Sequence, residues 1–552
     1  MGSARERPDG IIDFDDVGEV YDVVVAGSGA AGLVAALTAA TAGNRVLVVE
    51  GVSLFGGATA VSGGQVWVPG HHHRAAGAAT DCERLQSYCL DHSHERPVTV
   101  IEAFLDAAPT MARFVEQHTP IRFTPMNSPD SLTPPGQTEG WNLEPAPLGT
   151  GPFGEWSEWV WSPPYPAVLT NDEVAESRMI FGGAPPVELI KQRMGAGEVA
   201  LGVGLVIGLL RGCLDAGVDL LGSTRLSSLA TEDGRVSGVL LTDSGGDEKE
   251  VGVRGGVVLA TGGFEHDPGL VNRLLAIPTT VPASPPVATG GGLRLAAQAG
   301  ASLGHLSEAW YWPVVPTDAT WGQTSTARAE IMLAERVLPH AIWVNASGRR
   351  FVNEASHNCA FAFADLDTTT GRPANLPAFV IGDAQYRARY PLAGAGPDQP
   401  WPDSVTVADT LTGLAQELGI DPEGLTATVE EFNHDATAGR DSQYQRGETA
   451  YERALGDPDA DHPNLGTISK PPFFALPLTV GAVGTKGGAV VDERSRVLDW
   501  MGRPIPGLFA AGNAAAAPIG PAILSSGMTL GLAMTFGWLA GTTAATGDTS
   551  EH

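Results

Sequence analysis

Three glycines, Gly27, Gly29 and Gly32, follow an apolar run, Val23 to Ala26, in the order GxGxxG. An alanine-rich segment and a second apolar run come next, and Glu50 closes that second run. Glycine lets the backbone turn tightly and approach a pyrophosphate at a helix N-terminus, where free N–H groups favour negative charge. A carboxylate at the end of the second strand can accept hydrogen bonds from ribose hydroxyls. Strand, glycine turn, helix, strand and acid in this register predict a dinucleotide site.

The loop after this acid indicates which dinucleotide binds. Residues 53–70 are polar and rich in glycine, whereas a nicotinamide enzyme normally continues here with its next helix and strand. Small residues let a flat isoalloxazine ring lie against the backbone. We expect the hydroxyls of Thr59 and Ser62 near the polar edge of that ring. The loop therefore favours FAD.

Two later segments return to the same kind of turn. Residues 255–267 and 502–517 each contain an apolar run that ends in small residues, ATGG and AAGN. One nucleotide-binding domain interrupted by a long insertion explains both returns. The predicted FAD contacts are Gly27, Gly29, Ala30, Ala31, Gly32, Glu50, Gly57, Ala58, Thr59, Ser62, Gly63, Gly64, Gly262, Gly263, Gly512, Asn513, Thr529 and Leu530.

A stretch near the C-terminal end, SSGMTLGLAMTFGWLAG, contains no acidic, basic or phenolic side chain. It predicts a turn at Ser525 to Gly527 and a helix from about Met528. The N-terminus of a helix stabilises negative charge, so its first N–H groups suit the pyrimidine side of a flavin. Glycines let that backbone come close to the ring. We expect Ser526 and Gly527 to belong to the catalytic site.

Composition limits the partners of the chain. Among 552 residues, 33 are basic and 63 acidic, and the formal net charge of -30 opposes nucleic acids and anionic membrane surfaces. The four cysteines form no CxxC pair, which favours a reducing cytoplasm. The start lacks the apolar core of a signal peptide, and the longest apolar run, Val199 to Leu210, is too short to span a bilayer.

Three consecutive histidines, His71 to His73, raise the question of a metal. Adjacent residues cannot all face one ion, and no partner follows at a metal-binding spacing. The sequence therefore predicts a polar loop here and no metal site.

Proline and aromatic residues are concentrated between Gln117 and Asn171. Two interpretations stay open: an apolar lid over a hydrophobic small-molecule substrate, or a surface excursion held together by its own aromatic side chains. The aromatic residues concerned are Trp141, Trp156, Trp159, Trp161 and Tyr165.

Five longer motifs suggest a family. They are GGQVWVPG (63–70), GGGLRLAAQAGA (290–301), WVNASGRRFVNE (343–354), GRDSQYQRGETAYER (439–453) and PPFFALPLTVGAVGTKGG (471–488). With them, residues 21–541 resemble the flavoproteins of the fumarate reductase and 3-ketosteroid dehydrogenase superfamily, and the ketosteroid dehydrogenase branch most. Members with covalent flavin carry a histidine in the loop that matches GGATAVSGG, and this sequence has none there. The resemblance thus implies FAD bound without a covalent bond.

The resemblance also implies an α/β fold in which an α+β cap domain interrupts a Rossmann-like, glutathione-reductase-like FAD-binding domain. The predicted order is an N-terminal tail (1–18), the first part of the FAD-binding domain (19–302, with the excursion 117–171), the cap or substrate domain (303–472), the second part of the FAD-binding domain (473–545) and a final tail (546–552).

The same resemblance implies two tyrosines that this sequence lacks. In the Δ1-dehydrogenases a tyrosine lies four residues before a glycine whose N–H holds the ketone, and matching that glycine to Gly527 puts Ile523 at the tyrosine position. The second tyrosine, the presumed base, follows the NE motif, where His357 or Asn358 stands here. Three explanations remain open: His357 is the base, Ser526 relays a proton, or the substrate is not a steroid.

The leading hypothesis is an FAD-dependent dehydrogenase that desaturates a cyclic ketone, steroid-like or terpenoid, and passes electrons to an unidentified external acceptor. Tyr311 is a further candidate hydrogen-bond donor in that site. The alternative is an ene-reductase that holds a carboxylate substrate through Arg328, Arg336 or His340. A third hypothesis is an FAD-binding protein without catalysis. An NAD(P)H-dependent enzyme is least favoured, because only one dinucleotide motif is present.

Overall fold

The computed structural model of the chain describes residues 10–74, 86–92, 96–132, 140–151, 158–321, 323–333 and 335–547. Its strands are β1 (Val20–Ala26), β2 (Val46–Val49), β3 (Val66–Trp67), β4 (Phe123–Pro125), β5 (Asn142–Pro145), β6 (Leu148–Gly149), β7 (Glu198–Val199), β8 (Asp219–Leu221), β9 (Thr224–Glu232), β10 (Arg235–Asp243), β11 (Glu248–Leu259), β12 (Val281–Pro282), β13 (Leu303–Gly304), β14 (Ala309–Val315), β15 (Glu330–Ile331), β16 (Ala341–Asn345), β17 (Ala378–Asp383), β18 (Thr406–Ala408), β19 (Phe473–Thr485), β20 (Gly488–Ala489), β21 (Arg496–Leu498) and β22 (Pro504–Ala510). Its helices are α1 (Ala30–Thr41), α2 (Gly57–Ala60), α3 (Val98–His118), α4 (Asn171–Glu176), α5 (Val187–Ala196), α6 (Leu201–Asp215), α7 (Pro268–Leu274), α8 (Gly291–Gln298), α9 (Ala384–Arg387), α10 (Leu411–Leu418), α11 (Pro422–Ala438), α12 (Ala450–Leu455) and α13 (Met528–Ala545). None of the helices in this described part is long and apolar enough to cross a membrane.

The first sheet carries the glycine motif. Its strand order is β21-β22-β11-β1-β2-β8, and β10 and then β9 extend it from β11. The central strands run parallel to one another in the order β22, β11, β1, β2 and β8. Strand β21 pairs antiparallel with β22, and β10 pairs antiparallel with β11. Strand β2 and residues 23–26 of β1 are buried and apolar, as expected for parallel strands covered on both faces. The predicted order of strand, glycine turn, helix and strand is present.

Helix α1 and helix α13 pack against each other through small residues. A Cβ atom on Gly537 would lie 2.4 Å from the carbonyl oxygen of Ala31, and one on Gly541 would lie 2.4 Å from that of Ala35. Only glycine permits so close an approach of the two backbones. The alanines of α1 and the glycines of α13 thereby hold these two helices side by side.

The second sheet has the order β15-β14-β19-β17-β16, and β12 and β18 pair with β19 as well. Its longest strand, β19, pairs antiparallel with β14 and β17 over most of its length. The sequence predicts that residues from 473 onward belong to the FAD-binding domain. Strand β19 pairs with β14 and β17 of the segment 303–472, and the domain boundary at 473 stays a prediction. In the chain, β19 comes before β21 and β22, which belong to the first sheet. Its own hydrogen-bond partners lie far upstream in the chain, so this pairing cannot be predicted from the local sequence.

The N-terminal segment is more structured than a tail where the structure describes it. The Ile12 N–H donates to the carbonyl oxygen of Leu220 over 2.9 Å, and Val17 is buried. Residues 10–18 therefore lie against the edge strand β8. Residues 1–9 and 548–552 are outside the described residues, and the remaining domain boundaries stay predictions.

A buried ion network lies beside the second sheet. Glu354 accepts from Arg350 over 2.8 and 2.9 Å and from Arg446 over 3.3 Å, and Arg350 also binds Asp441 over 2.9 and 3.1 Å. All four side chains are almost completely buried. Burial alone would raise the pKa of Glu354, but Arg350 and Arg446 hold it below its usual value. This network ties the NE motif to residues 441–446.

Glu354→Ala is expected to lower the free energy of unfolding by about 3–5 kcal/mol, because it leaves a buried arginine without its carboxylate. Urea denaturation of the FAD-loaded protein measures this change. Glu188→Ala is the matched control, because Glu188 pairs with Lys191 at the surface and exposed pairs contribute little. Equal unfolding midpoints for the two variants would contradict a stabilising role for the network.

Candidate functional site

The glycine turn after β1 leaves no room for side chains. Gly27 has a φ of +105°, and a Cβ atom there would lie 2.3 Å from the carbonyl oxygen of Ala260. A Cβ atom on Gly32 would lie 1.9 Å from the carbonyl oxygen of Gly27. Gly29 differs, since the nearest protein atom to its Cβ position is Thr59 Oγ1 at 3.6 Å. The space at Gly29 is therefore open on the side where a pyrophosphate would approach.

The N-terminus of α1 faces this space. Gly29 precedes α1 and has no side chain to cap it, so an anion can take that role. The Ala30 N–H donates to Thr59 Oγ1 over 3.1 Å. Ser62 Oγ donates to the carbonyl oxygen of Thr59 over 2.7 Å and accepts from the Gly64 N–H over 3.1 Å. Thr59 and Ser62 thus hold the loop against α1, a role that the sequence analysis did not foresee.

Glu50 stands at the end of β2 as predicted. One carboxylate oxygen accepts from both the N–H and the hydroxyl of Ser28, over 3.1 and 2.6 Å. The other accepts from the Val52 N–H over 3.3 Å. Burial raises the pKa of this carboxyl, and the hydrogen bonds from Ser28 oppose that rise. A buried acceptor beside the glycine turn suits a ribose hydroxyl.

The remaining predicted cofactor residues lie in short loops and at the starts of helices. Gly57 and Ala58 form α2, and Gly63 precedes Gly64, which has a φ of +66°. Gly262 and Gly263 follow β11, and a Cβ atom on Gly263 would lie 2.2 Å from Thr485 Oγ1. A pocket brings together Gly512, Asn513, Thr529 and Leu532 with Trp310 of β14. Leu530 lies in the first turn of α13. FAD therefore fits three features of these residues. They are the close backbone approaches that glycine permits, the uncapped N-terminus of α1, and the buried carboxylate of Glu50.

The turn before α13 is shaped by Gly527. Its φ is +75°, and a Cβ atom there would lie 2.7 Å from Asn142 Oδ1 and 2.8 Å from the backbone of Gln65. The Trp67 N–H donates to the carbonyl oxygen of Gly527 over 3.1 Å. With no capping side chain at Gly527, the first N–H groups of α13 can face a ligand.

Ser525, rather than Ser526, belongs to a buried polar chain. Its hydroxyl donates to Asp130 Oδ1 and accepts from Asn142 Nδ2, each over 2.7 Å. The Trp141 N–H donates to the same oxygen of Asp130 over 3.0 Å. Burial raises the pKa of Asp130 to about 6. Ser526 is half-buried beside it.

His357 is buried next to this chain. Its Nδ1 contacts Ser131 Oγ and lies 3.3 Å from the hydroxyl of Tyr451. Arg336 donates to that hydroxyl over 3.1 Å, and the ring of Trp312 lies 4.7 Å from the imidazole. Burial, followed by the charges of Arg336 and Lys486, lowers the pKa of His357 well below 6.5. The imidazole is therefore neutral at pH 7.

Two other predicted positions are used differently. Asn358 holds the backbone of Ile523, donating to its carbonyl oxygen over 3.1 Å and accepting from its N–H over 2.8 Å. Tyr311 is buried and donates to the carbonyl oxygen of Ser307 over 3.2 Å. Successive side chains of a strand point to opposite faces. Trp312 contacts His357 on one face of the second sheet, whereas Tyr311 contacts Phe361 on the other. The structure does not bring Tyr311 into the site.

Four polar residues of this site were not predicted from the sequence as site residues. They are Asp130, Ser131, Ser525 and Tyr451. Tyr451 lies in one of the family motifs, so its presence there was a usable signal. Asp130 and Ser131 lie in the proline-rich region, where nothing marks them as polar groups to be buried. In that region Trp141 and Trp161 are core residues, Trp159 is half-buried, Tyr165 is 51% exposed and Trp156 is outside the described residues.

Comparisons with known proteins identify the family of the chain. The family model of the FAD binding domain matches residues 22–530. The chain is 36% identical to a 3-oxosteroid 1-dehydrogenase of Mycolicibacterium smegmatis, over 96% of this chain and 97% of that protein. It is also 36% identical to a 4-oxocyclohexanecarboxylate 2-dehydrogenase of Sinomonas cyclohexanicum, over 95% of this chain and 93% of that protein.

A solved structure agrees with both. The 3-ketosteroid Δ1-dehydrogenase of Sterolibacterium denitrificans, in complex with 1,4-androstadiene-3,17-dione, superposes with a TM-score of 0.88 at 30% identity, covering 96% of this chain and 100% of that one. The chain therefore belongs to the FAD binding domain family, on its 3-ketosteroid dehydrogenase branch, and is an oxidoreductase with FAD as its cofactor.

Proposed function

We propose that the chain desaturates a hydrophobic cyclic ketone and passes the electrons to an external acceptor. The observation that carries this proposal is the link between the α13 turn and His357. Asp130 binds Ser525 of the turn, and the next residue, Ser131, binds His357. One loop thus connects a helix N-terminus, which favours negative charge, with a neutral imidazole, which can accept a proton. The named substrates of the relatives, 3-oxosteroids and 4-oxocyclohexanecarboxylate, support the ketone class.

His357 is the proposed proton acceptor. Among the described residues its hydrogen-bond partners, Ser131 and Tyr451, both lie at Nδ1. Nε2 is then the nitrogen left for the substrate, and it accepts a proton in the tautomer whose Nδ1 carries the hydrogen and donates it to Ser131 Oγ or to the Tyr451 hydroxyl. The ring cannot rotate away without losing both contacts. The lowered pKa keeps the imidazole in the neutral form, which is the form that takes a proton.

Gly527 and the start of α13 are proposed to polarise the ketone. Removing a proton beside a carbonyl places negative charge on its oxygen, and fixed N–H donors stabilise that charge. FAD, when bound, supplies a hydride acceptor for the neighbouring carbon. Ser526, next to Gly527, is retained as a proton relay between this turn and solvent.

We also propose a role for each of the two large sheets. The first sheet is the core of a Rossmann-like, glutathione-reductase-like FAD-binding domain, and the second sheet is the core of a cap over the flavin. Residues 57–64 contain no histidine, which supports non-covalent binding. The cytoplasmic location is inferred from the cysteine content alone.

The ene-reductase alternative is less well supported. Arg336 donates to the carbonyl oxygens of Glu354 and Ser356 and to the hydroxyl of Tyr451. Arg328 pairs with Glu330, and His340 Nδ1 contacts the carbonyl oxygen of Thr467. The three groups proposed to hold a substrate carboxylate are therefore engaged within the protein.

Product analysis tests the direction of the reaction. The FAD-loaded protein is incubated with an artificial electron acceptor and either 4-oxocyclohexanecarboxylate or a saturated 3-ketosteroid. We expect a conjugated enone from at least one of them, with two electrons passed to the acceptor per molecule of product. Products formed only when a reduced dye and an enone are supplied would instead identify an ene-reductase.

A further inference from the structure

The histidine turn and helix α3 meet at the protein surface. His71 to Arg74 form a turn, in which the Arg74 N–H lies 3.4 Å from the carbonyl oxygen of His71. His72 and His73 are the two central residues of that turn. Glu116 of α3 lies directly opposite them. The sequence predicts no metal here, because adjacent residues cannot all face one ion and no partner follows at a metal-binding spacing. Glu116 is 43 residues from His73 in the chain, so its proximity depends on the fold.

The three side chains converge on one point. His72 Nε2 lies 2.9 Å from Glu116 Oε2, and His73 Nε2 lies 3.1 Å from Glu116 Oε1. The two imidazole rings are 4.1 Å apart, centre to centre. The candidate ligand atoms all lie within 4.8 Å of one another. Two adjacent residues can therefore face one ion here, because the turn directs both rings to the same side.

The neighbours of this cluster fix it in place. The Phe123 N–H donates to Glu116 Oε1 over 2.9 Å, which sets the orientation of the carboxylate. His71 is excluded from the cluster, since its buried ring packs edge-on against Trp141. The side chains of His72, His73 and Glu116 are 28%, 25% and 13% exposed, so an ion can enter from solvent. A carboxylate held by an outer hydrogen bond is a feature of metal sites.

We propose that His72, His73 and Glu116 form a binding site for a divalent transition-metal ion, with Zn²⁺ the best match. Two imidazoles and one carboxylate are a known protein ligand set for Zn²⁺, with a fourth position left to solvent. Mg²⁺ and Ca²⁺ prefer oxygen ligands, so this set selects against them. The ion would join the 71–74 turn to α3. No further protein ligand completes the set among the residues that the structure describes.

Calorimetric titration of the chelator-treated, FAD-loaded protein with ZnCl₂ tests the site. Wild type is expected to bind one Zn²⁺ per chain. Each of His72→Ala, His73→Ala and Glu116→Gln is expected to weaken binding by at least about 100-fold, beyond the roughly 10–100-fold effect of losing an outer-shell partner. Glu116→Gln keeps an oxygen that can accept from the Phe123 N–H, so the local fold is preserved.

His118→Ala is the matched control, because His118 lies on the same helix and is exposed. It should bind Zn²⁺ as wild type does. Failure of wild type to bind one equivalent would overturn the proposal, as would titrations of Glu116→Gln that match those of wild type. The flavin absorbance of each variant, measured in parallel, verifies that the protein is folded. Neither result depends on the identity of the ketone substrate.

Discussion

Replacing His357 by alanine is expected to lower kcat/KM for ketone dehydrogenation by about 10²- to 10⁴-fold, the range that a general base contributes. The imidazole is the neutral, buried acceptor that the site offers, and its Nδ1 contacts leave Nε2 for the substrate. FAD binding should be unchanged, because His357 is separate from the glycine turn and Glu50. The measurement is the rate of flavin reduction in a single turnover, compared at equal flavin content.

Tyr451→Phe is the graded companion of this variant. It removes one hydrogen bond to His357 Nδ1 and leaves Ser131 in place, so a loss of about three- to tenfold is expected. The pH profile adds a further test. A base must be unprotonated, so kcat/KM should stay level above the pKa of His357 and fall only at pH values well below 6.5. A His357→Ala variant that reduces its flavin at the wild-type rate would contradict the proposed role.

Replacing Gly32 by alanine is expected to abolish FAD binding. The new Cβ atom would lie 1.9 Å from the carbonyl oxygen of Gly27, so α1 would have to move away from β1 and take its N-terminus out of position. The flavin-to-protein ratio after purification measures this effect. Gly195→Ala is the control, because no atom lies within 4 Å of its Cβ position on α5.

Gly29→Ala separates the cofactor from the fold. Its Cβ atom would lie 3.6 Å from the nearest protein atom, so the protein alone accommodates it. Only a bound pyrophosphate would meet the methyl group. We expect normal folding and FAD affinity about 10- to 100-fold weaker, from an overpacking cost of about 1–3 kcal/mol. Wild-type affinity in Gly29→Ala would show that the pyrophosphate does not lie at this turn.

The strand–helix–strand unit predicted to bind FAD can be recognised in the sequence because its parts are close together in the chain. Gly27, Gly29, Gly32 and Glu50 occupy one strand–helix–strand unit, and each is fixed by local backbone geometry. The position of α13 after Gly527 was likewise predicted from its glycine-rich start.

The catalytic surroundings could not be predicted in this way. Ser131 and His357 are 226 residues apart, and Asp130 and Ser525 are 395 apart. Such pairs meet only in the folded chain, and nothing in the local sequence marks them. The placement of Tyr311 could not be predicted for a related reason, since the face to which a strand residue points depends on what packs against each side.

The most direct test of the whole account is to mix the FAD-loaded protein with saturated cyclic ketones in the absence of oxygen and follow the oxidised flavin band. We expect a 3-ketosteroid or 4-oxocyclohexanecarboxylate to bleach the band rapidly and to be recovered as the enone. We expect the bleaching to be slower in His357→Ala. A flavin that stays oxidised with every saturated ketone, yet is reoxidised by an enone after dithionite reduction, would contradict the proposed dehydrogenase activity.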